Sequence, residues 1–177
     1  MSKIQHVAVI GAGRMGKAIA IAFAYAGLQV KLIDAKVRPE QEFIQYRQQV
    51  QQDLTQELTL LRTIQFVQAE QIAVIQANIQ ILAKLESTKF LTQCDLIMEG
   101  VPEQTQAKQE IFSWLDQYIS PQCIIASTTS TFLVTDIAQM LSHPERVVNA
   151  HWLNPAYLIP LVELCLLYTS DAADDSL

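Results

Sequence analysis

Apolar and polar positions along the 177-residue chain follow two alternating periods. Residues 3–10 alternate and then run apolar (Val7-Ala-Val-Ile10), as a strand covered on both faces does. Residues 14–26 are small, apolar and alanine-rich, which predicts a helix pressed closely on a sheet and stopped by Gly27. A second strand is expected at 29–34. Beyond Pro39, residues 40–62 space Phe43, Tyr46, Val50, Leu54, Leu58 and Leu61 three or four apart, the stripe of an amphipathic helix. Glutamine is frequent from 41 to 80, but the periodicity runs through it, so this stretch is not read as low-complexity disorder. Further helices are expected at 69–78, at 103–119 (closed by Pro121) and at 134–141, with strands at 79–82, 95–99, 123–127 and 147–151. Strands alternating with helices predict parallel β-α-β units, hence a doubly wound α/β fold with a mainly parallel sheet.

Composition narrows this picture without redirecting it. Half of the residues are hydrophobic, enough for a packed core, and the length suits one domain or one domain plus part of a second. No run of 18 apolar residues occurs, so no transmembrane helix is expected, and the first apolar run passes straight into glycine, as a strand does and a signal peptide does not. The formal charge of −6 argues against nucleic acid or an anionic membrane as partner. Cys94, Cys123 and Cys165 lie far apart with no CxxC pair, which suits a reducing cytoplasm and offers no metal or disulfide framework. Cys123 reads as core, and His6 and His143 as surface residues.

The first chemistry is Gly11-Ala12-Gly13-Arg14-Met15-Gly16, a G-x-G-x-x-G between a strand and a helix. Gly11 permits the tight turn, Gly13 lets a pyrophosphate approach the backbone, and Gly16 lets helix and strand pack closely, the Rossmann arrangement. The helix N-terminus adds unpaired N–H groups and a positive dipole. Asp34 ends the second strand, where a carboxylate grips ribose hydroxyls and repels a 2′-phosphate; NAD is therefore expected rather than NADP, although Lys36 and Arg38 soften that repulsion.

A second cluster lies downstream: Glu99-Gly-Val-Pro-Glu103, Ser127-Thr-Thr-Ser130, and His151-Trp-Leu-Asn154-Pro155 with Glu163 twelve positions after the histidine. Over residues 3–164 the chain resembles the 3-hydroxyacyl-CoA dehydrogenase family and its relatives acting on other 3-hydroxy substrates. That resemblance implies His151 as the base that takes the hydroxyl proton, Glu163 as the carboxylate orienting its ring, and Ser130 as a hydroxyl contacting substrate and nicotinamide ribose. It implies Asn154 near the nicotinamide and Glu103 and Lys108 on the cofactor side. Imidazole suits proton abstraction because it ordinarily titrates near neutral pH. Simpler structural roles compete: Ser130 as a cap for the helix near Val134, Glu103 as a helix-start acid, and Lys108 on a solvated helix face.

The sequence also departs from the family. Thr128 stands where Asn is usual, Pro160 where the acyl-CoA branch often has Lys, and Val50 and Glu57 where basic residues hold CoA. Asn-Pro-Ala-Tyr-Leu-Ile-Pro-Leu-Val-Glu163 is also similar to carnitine and gulonate dehydrogenases. A catalytically silent, crystallin-like NAD-binding protein on the same fold remains a further alternative. The resemblance implies a C-terminal helical domain that covers the site and forms a homodimer; no counterpart is expected here, so activity is expected to be low and apolar surface exposed. Residues 165–177 (CLLYTSDAADDSL) closely resemble the translation of a transposon adapter used in sequencing libraries, and the domain is expected to span 1–164 with a read-through tail behind it. Three of the 18 acids fall in that tail, so half of the net negative charge goes with it.

Overall fold

The computed structural model describes residues 4–166. Among the described residues seven strands form one sheet: β1 (His6–Ile10), β2 (Gln29–Ile33), β3 (Ile79–Leu82), β4 (Leu96–Glu99), β5 (Ile124–Ser127), β6 (Val147–Trp152) and β7 (Val162–Leu166). Their spatial order is β3-β2-β1-β4-β5-β6-β7, with β1 to β6 parallel and β7 antiparallel to β6. The helices are α1 (Arg14–Tyr25), α2 (Glu40–Thr63), α3 (Ala69–Ala77), α4 (Thr88–Leu91), α5 (Thr105–Leu115) and α6 (Val134–Ala138). This is the expected doubly wound Rossmann architecture.

Period-two burial splits the core into two layers. Val9, Val30, Leu32, Met98 and Ala126 pack against α1 and the Val50-Leu54-Leu58-Leu61 stripe of α2. Ala8, Ile10, Ile33, Ile97 and Ile125 pack against Ile111, Phe112 and Leu115 of α5 and Ile137 of α6. Full burial of each such large side chain contributes about 1.5–3 kcal/mol. The alanines of α1 bring that helix close to β1, as their size allows.

Several expected boundaries shift. The helix expected at 103–119 covers only Thr105–Leu115, because residues 101–104 form the loop out of β4. The helix expected at 134–141 ends at Ala138. Residues 85–91, too short for a visible period, form a 3-10 turn running into α4. β7 was not expected. It reaches Leu166, two residues past the expected domain boundary, and the remainder of the expected tail lies outside the described residues. Among the described residues no helix is long and apolar enough to cross a membrane.

The chain winds outward from β1 to β3, then returns to β4 on the opposite side of β1. The C-terminal ends of β1 and β4 thus flank the reversal point where doubly wound sheets bind ligands.

Candidate functional site

A cleft of about 550 Å³ opens at that point. Its floor is the turn from Gly11 to Met15. Gly11 has φ +95°, and a Cβ there would lie 2.9 Å from the Gly100 carbonyl oxygen, so glycine is required on both counts. A Cβ on Gly16 would lie 1.8 Å from the Gly11 oxygen, so α1 enters over bare backbone. A Cβ on Gly13, by contrast, would meet nothing within 4 Å. The N-terminus of α1 carries no side-chain cap and no acid in its first turn. Open space beside uncapped N–H groups fits a pyrophosphate, so these residues fit a dinucleotide.

At one end of the cleft Asp34 is buried. Its Oδ1 accepts from the Lys36 N–H at 3.1 Å and its Oδ2 from Arg38 Nε at 2.6 Å. The Arg38 guanidinium lies 4.1 Å from the Tyr46 ring centre, and Lys36, Arg38 and Tyr46 all line the cleft. The Asp34 carboxylate, expected to face the ribose, therefore already has a cation beside it.

The far wall rests on a buried network. Lys108 was expected either on the cofactor side or on a solvated helix face; it is fully buried and does not line the cleft. The solvated-face reading is corrected: Ile111, Phe112 and Leu115 turn α5 inward and carry Lys108 beneath the β4 loop. Its Nζ donates to both oxygens of buried Glu99 at 2.9 and 2.8 Å. Glu99 also accepts from the Ser127 hydroxyl at 2.6 Å and the Val101 N–H at 2.6 Å.

Above this pair, Glu103 Oε1 accepts from the Ser130 N–H at 3.0 Å, and Oε2 accepts from the Thr129 hydroxyl at 2.7 Å. Burial pushes the Glu103 carboxyl up, but the Thr129 and Ser130 donors and nearby Lys108 outweigh it and hold it below the usual carboxylate range. Ser130 lines the cleft and does not cap α6, whose N-cap is Leu133 without a side-chain bond.

His151, near the end of β6, closes the cleft, and its Nδ1 lies 2.8 Å from Glu163 Oε2. The two are direct cross-strand partners in the β6–β7 ladder. A carboxylate there fixes the tautomer with hydrogen on Nδ1, which leaves Nε2 as the basic nitrogen. Asn154, expected near the nicotinamide, is exposed in the turn after β6 and does not line this cleft.

Sequence reasoning missed Glu99 as the partner of Lys108, Thr129 as the partner of Glu103, the stacking of Arg38 on Tyr46, and Trp152 in the cleft wall. A carboxylate ending a strand and a lysine nine positions later were the available signals for the buried pair.

The chain matches the family model described as "3-hydroxyacyl-CoA dehydrogenase, NAD binding domain" over residues 6–175. A 3-hydroxybutyryl-CoA dehydrogenase of Bradyrhizobium diazoefficiens is 31% identical over 98% of this chain and 55% of its own length. An L-carnitine dehydrogenase/betainyl-CoA thioesterase of a Rhizobium species is 32% identical over 93% of this chain and 30% of its own. Among solved structures, FadB2 of M. tuberculosis superposes with a TM-score of 0.80 and 29% identity over 92% of this chain and 54% of that one. The chain thus spans about half the length of the 3-hydroxybutyryl-CoA dehydrogenase and of FadB2, and less of the carnitine enzyme. With its glycine turn, the buried acid that follows β2 and this match, the chain belongs to the 3-hydroxyacyl-CoA dehydrogenase family, of whose NAD-dependent oxidoreductases it carries the NAD-binding domain.

Proposed function

We propose that the chain forms the cofactor half of an enzyme oxidising L-3-hydroxyacyl-CoA to 3-ketoacyl-CoA, and that these 177 residues alone turn over little substrate. The observation that carries the reading is His151 on the wall of the dinucleotide cleft, with Glu163 bonded to its Nδ1 from the neighbouring strand. NAD, when bound, supplies the hydride acceptor. His151 Nε2 takes the hydroxyl proton as the carbonyl forms. Glu163 holds the ring in the tautomer that allows this and stabilises the imidazolium that results; positioned general-base catalysis of this kind is worth about 10²–10⁴-fold. Glu103 fixes the backbone of Ser130, whose hydroxyl on this reading contacts the substrate oxygen or the ribose.

A second reading, oxidation of a free 3-hydroxy acid of the carnitine or gulonate type, is favoured by α2. Where the family resemblance expects cations for CoA phosphates, Val50 is buried and Glu57 is an acid. NADH formation from 3-hydroxybutyryl-CoA, carnitine and gulonate, measured beside direct NADH binding, separates these readings. NADH binding with slow turnover, fastest on the thioester, is expected. Faster turnover of carnitine or gulonate establishes the second reading, and rapid turnover of any substrate removes the low-activity clause. NADH binding without turnover of any of the three points to a non-catalytic NAD-binding role.

A further inference from the structure

We propose that Arg38, stacked on Tyr46 and paired with Asp34, makes the ribose end of the cleft accept the 2′-phosphate of NADPH as well as the free 2′-hydroxyl of NADH. Dinucleotide sites of this fold discriminate at this point by either an acid for the hydroxyl or an arginine for the phosphate. This chain has both, and they are bonded to each other.

The local charge decides the sign. Asp34 alone would oppose a 2′-phosphate carrying close to two negative charges. Arg38 neutralises it from 2.6 Å, and Lys36 adds a second cation to the same cleft, so the cluster of three is net positive. The pairing uses only Nε of Arg38, and a guanidinium has four further N–H donors in a fork that matches phosphate oxygens. Stacking on Tyr46 holds the guanidinium plane in place, so less side-chain freedom is lost on binding. Asp34 in turn accepts one bond on each oxygen, which leaves lone pairs for the hydroxyls of NADH.

The inference rests on the assignment of this cleft to the dinucleotide, and the test keeps the two apart. The 177-residue chain is titrated with NADH and with NADPH, following nicotinamide fluorescence. The Kd for NADPH is expected within about tenfold of that for NADH. The variant Arg38→Met keeps side-chain bulk and removes the cation, and it is expected to raise the NADPH-to-NADH Kd ratio by about fivefold or more. If Arg38→Met does not fold, Tyr46→Leu, which removes the ring beneath the guanidinium, takes its place with the same threshold. NADH binding with an NADPH Kd more than tenfold weaker overturns the proposal alone, as does a smaller change in the ratio on substitution. Failure of both cofactors to bind overturns the cleft assignment and the proposal together.

Discussion

Gly13 and Gly16, three residues apart in one motif, have opposite liabilities. Adding a methyl at Gly16 drives it into the backbone oxygen of Gly11, which no side-chain rotation relieves. Gly16→Ala is expected to cost about 2 kcal/mol or more, read as a lowered denaturation midpoint. Gly13→Ala meets no protein atom. It should keep its melting temperature within about 2 °C while NADH affinity falls about tenfold, because the methyl occupies the space a pyrophosphate needs. A Gly13→Ala chain that binds NADH normally would show that the cofactor does not approach there. These glycines were legible because spacing alone encodes them. Lys108 was not: one lysine on an amphipathic helix gives no periodic sign of burial, and only Glu99, brought close by the fold, accounts for it. Arg38 was legible as a nearby cation but not as a stacked one, since Tyr46 joins it only when α2 begins.

The elements carrying the far wall are joined by charge as well as by apolar packing. Lys108 ties α5 to the end of β4, and truncating one member of a buried pair costs about 3–5 kcal/mol by leaving the other uncompensated. Lys108→Met should therefore destabilise the fold strongly, and adding Glu99→Leu should recover part of the loss. A double variant less stable than the single one would contradict this account. Glu103 links the β4 loop to the β5 loop, and its carboxyl is held below the usual carboxylate range. A depressed carboxyl stabilises the fold fully above the unfolded value, and that contribution disappears as pH falls through the folded value. Acid unfolding of Glu103→Gln should accordingly show a shallower pH dependence in this range than the unaltered chain. At this scale β2 to β6 were readable to within one residue, since short apolar runs mark them, whereas β1 begins at His6, later than the expected residue 3. β7 and residues 85–91 were not. The first shows no clean alternation, with all residues but Val162 exposed, and the second is shorter than two helical turns.

Across the whole molecule, apolar side chains gather at the β7 edge. Leu158, Leu161, Leu164 and Leu166 are exposed there, Leu164 to 68%, with Leu158 and Leu161 beside Tyr25 and Phe66. An edge strand with this composition pairs readily with another chain. Sedimentation velocity should show concentration-dependent self-association of the 177-residue chain, weakened by Leu164→Lys. Unchanged association in that variant would place the sticky surface elsewhere. The architecture itself was readable in the sequence because β-α-β alternation admits few topologies. Exposure of β7 was not, because it depends on what lies next to the sheet edge.

The pairing of His151 with Glu163 across β6 and β7 makes the site sensitive to chain length. Side chains on a strand alternate faces, so a slip of one residue would bring Val162 or Leu164 opposite the imidazole and turn the carboxylate to the other side. A one-residue deletion among residues 153–161 could leave the sheet intact and still remove the carboxylate partner of the imidazole proposed as the base. Drift in that loop would then produce silent descendants of this domain, proteins that keep the cofactor and lose the reaction without any substitution at His151 or Glu163.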